Sequence, residues 1–584
     1  MPAKRPPAKE DDDARTGNDP GGEEASRLIA MNEAMKAERA NTMILWDDCA
    51  RYILQHKGQI LTKYTPGQNQ TINVYDTTAS EAAGVAASGI LTHIMPAGEK
   101  WFQLSAKAKG HGHKVSPAVQ SWFDELTDVA ISQIHSSNFY LGEHECLLSG
   151  VTFGTDCLFL EQGKKRLLNF IEIAVGTFCI YENSEGAVDV VSREFQYTAR
   201  QAAQKWGEDN LTPSLAAALR ERTPAARNRK FNFIHIVEPR EDVDYKGGKV
   251  GPLLRPIRSV YICKEDSAII EEGGYYEMPY FVARMERSNN EVYGRGPGMQ
   301  SMSEIKMLNA MERDLLTAVE KMVNPPWLVP NSADTGEIES VPNGVTYYDS
   351  SVNGAKPEQL HLQHNVDMGE KKTEQKRQRI RDAFWNTLFK VLTAAAEMKR
   401  EKTAYEVQQM VAEQMVLFSP IFARRVQEHI NPLLERVVNI IIREGLVSQP
   451  PPEVVNGLEY EIVYTSKIAL ALKNAQNQSV STIMTLIQQL GALDPTVTNI
   501  VKWQEAARLV IRNVGLPAFV IRSVAEADAM TKAQQQAQAA QQQAETAQTA
   551  TQAMKNLGPT AQTEASRHIL SAAGSPNAKP TQAA

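Results

Sequence analysis

Few residues in this chain have types and spacings that could do chemistry. Gly294-Arg295-Gly296-Pro297-Gly298 has the glycine density of a phosphate-cradling loop. It lacks the Gly-Lys-Ser/Thr ending of a nucleotide loop, and no strand-turn-helix unit with a later acidic partner frames it. A hinge feeding a helix is the reading these residues support. His111-Gly112-His113 and His144-Glu145-Cys146 carry metal-capable atoms. The first pair lies in a Gly/Lys loop and the second has no partner at ligand spacing, so solvated or packed side chains are expected. Neither a Gly-x-Ser-x-Gly elbow nor a His-Glu-x-x-His motif occurs, and the acidic residues are spread over helix faces. No active site, metal or cofactor is expected. One charge feature rises above background: Lys371, Lys372, Lys376, Arg377, Arg379 and Arg381 crowd the first turns of a predicted helix, tempered by Glu370, Glu374 and Asp382. Such a run is either a solvated helix terminus or a surface for polyphosphate that reads no base sequence.

The elements that would position these residues are rods. After the glycine run, Met302, Ile305, Leu308, Met311, Leu315, Val319 and Met322 recur at three- and four-residue steps and draw one apolar stripe. Ser301 and Glu304 have capping-box spacing. Asn324-Pro325-Pro326-Trp327 stops the helix, because Pro325 disfavours helical geometry at Asn324 and Pro326 blocks a restart. At 1.5 Å per residue the rod over 301–323 spans about 33 Å. A second rod begins near Glu370 and carries Ile380, Phe384, Leu388 and Val391 on one face. Between the two rods, 324–368 is rich in Pro, Gly and Asn with short β signals such as Val345-Thr346-Tyr347-Tyr348, the pattern of a compact insertion.

Upstream, residues 1–26 have too little apolar surface to offset ordering entropy and are expected to be disordered. Helical patterns cover 27–63, 77–94 (dense in Ala and Gly, hence close packing) and 117–148. β patterns follow at 157–160, 170–173, 179–181, 188–191, 231–237 and 280–284. Together these predict an α+β lobe over 27–300. Downstream, a helical segment near 403–444 is interrupted by Pro420 and Pro432, each worth about 3 kcal/mol against a helix interior. Helical signals run over 466–531, and 532–584 is Gln/Ala-rich low complexity.

At 584 residues there is room for several domains. The formal charge of −7, from 62 basic and 69 acidic residues, counts against a tight nucleic-acid binder. It does not count against a conduit, which lasting phosphate contacts would slow. Five scattered cysteines without a CxxC pair predict reduced, buried thiols. No secretory signal and no run of 18 apolar residues is present, so a soluble product made in the cytoplasm is expected, with no membrane partner.

Several stretches, in this order, resemble the portal or head-to-tail connector family of short-tailed, podovirus-type bacteriophages. They are Val74-Tyr75-Asp76-Thr77-Thr78-Ala79, Leu91-Thr92-His93-Ile94-Met95-Pro96 with Trp101-Phe102, and Gly150-Val151-Thr152-Phe153-Gly154-Thr155, followed by Tyr293 to Gly298, Asn324-Pro325-Pro326 and Thr403-Ala404-Tyr405-Glu406-Val407. The resemblance covers about residues 28–520. It implies a mainly α subunit with an α+β wing (27–300), a first stem helix (301–323), a clip (324–368), a second stem helix (369–392) and a channel loop (393–402). A kinked helix with the rest of the wing (403–465) and a helical crown (466–531) complete the layout. It implies a non-enzymatic, twelve-fold ring at one capsid vertex of the virion, the head-tail junction. That ring nucleates head assembly, docks the terminase, passes double-stranded DNA in and out, and meets scaffold, major capsid and tail adaptor proteins. Lys371, Lys372, Lys376, Arg377, Arg379, Arg381, Lys399, Arg400 and Lys402 become candidates to face DNA. Gly294, Gly296, Pro297, Gly298, Asn324, Pro325, Pro326 and Trp327 become hinge and clip candidates. The alternative is another phage head or tail protein, an adaptor or a scaffold; the β-rich lobe and the insertion between two rods argue against a simple scaffold.

Overall fold

The computed structural model describes residues 20–57, 60, 74–107, 116–163, 166–221, 223–240, 251–288, 290–330, 341–348, 358–359, 366–389, 418–455 and 459–465, and parts of 530–548. The chain divides into two compact units, Met1–Val480 and Ser481–Ala584. In the second, residues 536–541 are helical and exposed. All elements below belong to the first.

Helix α1, Pro20–Tyr52, starts inside the segment expected to be disordered. Its first turns find a sheet to pack on: Ala25 and Leu28 are buried against Ile234, Ile236, Val260 and Ile262. Arg258 also donates to Glu24 at 2.8 Å. Helix α2, Thr78–Ile94, buries Ala79, Ala82, Ala83, Ala86 and Ala87, the close packing its small residues predict. Strand β1 is Phe102–Ala106. The helix expected over 117–148 is two helices, α3 (Pro117–Ser136) and α4 (Phe139–Phe153). They part where side chains compete for backbone partners. Ser137 Oγ accepts from the Phe139 N–H at 3.1 Å, and Asn138 bonds both backbone groups of Phe170, at 2.6 and 2.9 Å.

The β-rich region holds β2 (Thr155–Glu161), β3 (Asn169–Glu172), β4 (Phe178–Glu182) and β5 (Val188–Thr198). Three short helices follow: α5 (Ala199–Trp206), α6 (Pro213–Arg220) and α7 (Pro224–Arg227). Then come β6 (Lys230–Pro239), β7 (Ile257–Cys263), β8 (Ala268–Tyr275) and β9 (Tyr280–Arg284). Strands β4 to β8 form an antiparallel meander in chain order, and β3-β2-β9 form a second antiparallel sheet. Strands β7 and β8 are additions to the expected set. All five cysteines are buried and unpaired.

A single helical turn, α8 (Pro297–Gln300), leads into α9 (Met302–Val323). The capping box expected at Ser301 and Glu304 does not form. The backbone is already helical there, with Ser301 N bonded to Pro297 O and Ile305 N to Ser301 O. No orphan donor is left for the hydroxyl, so Ser301 Oγ donates back to Pro297 O at 2.6 Å. Beyond α9, β10 (Trp327–Pro330) pairs parallel with β11 (Val345–Tyr348) and antiparallel with β12 (Glu358–Gln359). Helix α10, Val366–Ala383, begins four residues before the expected start and ends where Trp385 takes a left-handed φ of +57°. Residues 418–425, including Pro420, are helical. A wide π turn, Val426–Ile430, follows, closed by the Asn431 N–H on Val426 O, and leads into α11 (Asn431–Arg443). Pro432 has no N–H to continue the regular ladder, so the predicted break takes this form. Helix α12 is Pro452–Val455, and β13 (Tyr460–Tyr464) pairs antiparallel with β1. The expected channel loop at 393–402, the Thr403–Val407 stretch, residues 466–529 of the expected crown, and His111 and His113 lie outside the described residues.

Candidate functional site

The stretches singled out in the sequence meet at the root of α9. Gly150 to Thr155 ends α4, and Gly154 takes a left-handed φ of +81° that reverses the chain into β2. The 294–298 run lies directly on that end. A Cβ at Gly154 would stand 2.5 Å from Gly294 O, Arg295 C and Gly296 N. One at Gly296 would meet Gly150 O at 2.8 Å, and one at Gly298 would meet Thr152 O at 2.5 Å. These glycines therefore permit backbone-to-backbone contact. Gly294 N donates to Thr155 Oγ1 at 2.8 Å. Tyr293 sits edge-on to Trp46, ring centroids 5.2 Å apart, while Trp46 Nε1 donates to Phe153 O at 2.8 Å. From α1, Asp48 accepts from Lys306 at 2.7 Å. The root of the rod is clamped.

Helices α9 and α10 run antiparallel, tied by charge along their seam. Lys376 Nζ donates to Glu304 at 2.5 Å. Arg377 donates to Glu312 at 2.6 Å and to Asp76 at 2.8 Å. Asp76 also accepts from Thr78 N at 2.8 Å, and Tyr75 N donates to Asn309 Oδ1 at 2.7 Å, so the 74–79 stretch fastens both rods to α2. Burial favours a neutral Asp76, but the bonds from Thr78 and Arg377 outweigh it and lower the pKa. Ile305, Leu308 and Ile380 are buried along the seam, and Gly369 brings α10 close to Leu315, whose Cδ1 lies 2.9 Å from where a Cβ would be. After α10, Phe389 stacks on His93 with centroids 5.9 Å apart and fills the space that Gly89 leaves.

The candidate DNA-facing residues divide. Lys376 and Arg377 are spent on ties between rods, and Arg381 bonds Glu374 on its own helix at 3.0 Å. Lys371 and Lys372 are exposed without a carboxylate partner among the described residues. Arg379, 67% exposed, only grazes Glu304 at 3.7 Å. Lys399, Arg400 and Lys402 lie outside the described residues. At the far end, α9 loses its apolar cover: Val319 and Met322 of the stripe, with Leu316 and Val323 beside it, are 40%, 53%, 54% and 71% exposed. In the small sheet, Trp327 stands opposite Val345, and both are exposed together with Tyr347. Asn324 is exposed at the junction, whereas Pro326 is buried.

Sequence reasoning missed how the segment after residue 418 is anchored. Arg425, wholly buried, donates to Glu143 at 2.6 Å and Asp156 at 2.8 Å, and His429 bonds Glu143 at 2.9 Å. Burial alone would raise the Glu143 pKa, but His429 and Arg425 hold it at about 2. Cys146 donates to Asp156 at 3.1 Å, and burial pushes its thiol pKa well above the usual range. Next to His429, Glu428 takes Arg284 through both oxygens, at 2.8 and 3.1 Å, and Arg284 also pairs with Glu182. Interior proline was the only local signal, since Arg425, Glu428 and His429 find partners 144 to 286 residues away. His144 is half-buried and bonds Ser88 at 3.1 Å. Among the described residues no three metal-capable side chains converge, and no helix is long and apolar enough to cross a membrane.

Comparison with known proteins gives the family. Residues 25–521 match the family described as bacteriophage head to tail connecting protein. The portal protein of Salmonella phage epsilon15 is 26% identical over 561 residues, which cover 95% of this chain and 99% of that one. The probable portal protein of Bordetella phage BPP-1 is 24% identical over 480 residues, 81% of this chain and 84% of its own.

Proposed function

The chain belongs to the bacteriophage head-to-tail connecting protein family, and from that premise we propose how its parts serve a portal. Its role is structural and non-enzymatic. As a portal protein it is a virion component at the head-tail junction, associates with capsid and tail, and forms an oligomeric ring.

The observation that carries the finer reading is the clamped pair of antiparallel rods with its apolar end uncovered. Stiff columns stand side by side only if a neighbouring copy covers what each leaves exposed. Leu316, Val319, Met322 and Val323 are such a face. Head-to-tail repetition of one contact closes a ring when the rotation permits, here twelve-fold. We assign 27–300 to the wing, α9 and α10 to the stem, and the three-stranded sheet between them to the clip that meets terminase and then tail adaptor. The channel loop (393–402) and crown (466–531) extend this assignment, as do contacts to scaffold and major capsid protein.

In a ring, Lys371 and Lys372, with Arg379 loosely paired to Glu304, recur on α10 as a band of largely unspent positive charge. The whole subunit is acidic, at −7, so the pore field repels phosphate except at that band. Few lasting phosphate contacts mean weak holding with a shallow salt dependence, which suits double-stranded DNA in transit. The test is charge reversal at Lys371, Lys372 and Arg379 together. Rings should form normally while DNA content per head falls; loss of the ring would make these residues assembly contacts instead.

A further inference from the structure

A second basic surface lies on the wing, away from the stem. Residues 220–230 read Arg-Glu-Arg-Thr-Pro-Ala-Ala-Arg-Asn-Arg-Lys, five basic residues against one acidic in a chain that is acidic overall. Helices α5, α6 and α7 pack on one another and cap one face of the five-stranded sheet over Trp206, Leu215, Phe231 and Phe233. Arg220 ends α6, Arg227 ends α7, and Arg229 and Lys230 lead into β6. Thr198 pairs with Lys230 across the sheet, which brings Arg200, two residues later, to the same end. Arg200, Arg220, Arg227, Arg229 and Lys230 are all exposed. No carboxylate lies within ion-pair distance of any of them among the described residues. Arg229 rests over the Phe231 ring at 5.2 Å, a cation–π contact that leaves its charge without a carboxylate. The nearby acids are Glu221, exposed; Glu208 and Asp209, exposed in the turn between α5 and α6; Asp266, which accepts from Ser214; and Glu265, which is occupied by the backbone and side-chain N–H groups of Asn232 at 2.8 Å.

We propose that this helical cap is a second, sequence-independent site for the phosphate backbone of duplex DNA, separate from the stem. Contrast with the stem supports the assignment. There, packing consumes Lys376 and Arg377; here, unpaired guanidinium groups stand in solvent, four of the five basic residues being arginine, the side chain that grips phosphate oxygens in pairs. An acidic protein partner is disfavoured because interfaces between proteins need a buried apolar anchor. Between Arg220 and Lys230 the apolar side chains are small, and Ala226 is buried. Charge without an anchor reads as backbone contact.

The test uses the full-length protein and a covalently closed, relaxed circular duplex, which cannot thread a closed ring and so reports on outer surfaces alone. Binding is followed from 50 to 200 mM salt for the wild type and for a variant carrying Arg220→Gln, Arg227→Gln, Arg229→Gln and Lys230→Gln. Four lost phosphate contacts make the log–log salt slope shallower by about 3.6, so the wild type loses roughly a hundredfold more affinity over that range than the variant. Arg220→Lys with Arg227→Lys and Arg229→Lys keeps most of the slope. Failure of the wild type to bind the circle overturns the proposal, as does an unchanged slope in the glutamine variant. Competition by poly-glutamate equal to that by duplex at matched charge overturns it in favour of an acidic polypeptide. Because a circle cannot enter the channel, none of these outcomes depends on the stem reading.

Discussion

Replacing Gly154 with alanine tests the claim that the glycines at the root of the stem serve close contact. Two costs add. Gly154 has φ +81°, and an L side chain in the left-handed region costs about 1–2 kcal/mol. Its Cβ would also stand 2.5 Å from three backbone atoms of residues 294–296, which cannot swing aside as a side chain can. Overpacking of this kind costs about 1–3 kcal/mol. The expected total is about 2–5 kcal/mol. A chain of this size need not unfold in one step, so the readout is local amide exchange across 294–305, where that range lowers protection by about thirtyfold to several thousandfold. Two controls separate the terms. Gly445→Ala, read in the amides that flank it, has φ +68° but nothing within 4 Å, so it carries only the conformational cost, and Gly298→Ala meets Thr152 O at 2.5 Å without a left-handed φ, so it carries only the steric one. If Gly154→Ala is no worse than Gly445→Ala, the close-contact argument is wrong.

Arg425→Met strands the carboxylates of Glu143 and Asp156 in the interior, and breaking such a pair costs about 3–5 kcal/mol. Limited proteolysis of the 418–443 segment should accelerate sharply, and adding Glu143→Gln with Asp156→Asn should recover much of the loss. The same cluster sets a pH window. With its pKa held at about 2, against 4.5 for an ordinary glutamate, Glu143 contributes stability that is complete above the ordinary value and lost as pH falls toward 2. Exchange protection of α11 should therefore hold at pH 6 and decline below pH 4.5; a flat profile from pH 6 to 2.5 would remove the ion pair from the account. Leu316→Asp with Val319→Asp should leave the monomer's thermal stability within about 1 kcal/mol, since both sites are exposed, yet abolish ring formation in size-exclusion chromatography with light scattering.

What was legible in the residues was local. The apolar stripe from Met302 and the Asn324-Pro325-Pro326 stop bound α9 to within a residue, because period and punctuation are both short-range. The small residues of 82–89 announced the close packing of α2. The same local view could not show the contact at the glycine run, since a glycine that permits motion and one that permits contact look alike without the other chain segment. It also proposed a cap at Ser301 where α8 had already started the helix. Nothing near Asp76 points to Arg377, three hundred residues on, and β1 cannot announce β13. Strand β8 reads Ala-Ile-Ile-Glu-Glu-Gly-Gly-Tyr, too irregular in polarity to show as a strand. For charge, the sequence shows where residues cluster but not which ones packing will neutralise: Lys376 and Arg377 are consumed, while Arg227 and Arg229 stay bare.

Electron microscopy of the purified full-length protein, with symmetry taken from end-on views, bears most directly on how the subunit works. The account predicts closed rings in which the paired rods of neighbouring copies abut through the Leu316–Val323 face around an axial opening that admits a DNA duplex. Discrete particles with no axial opening, or rods splayed outward with that face in solvent, would contradict it.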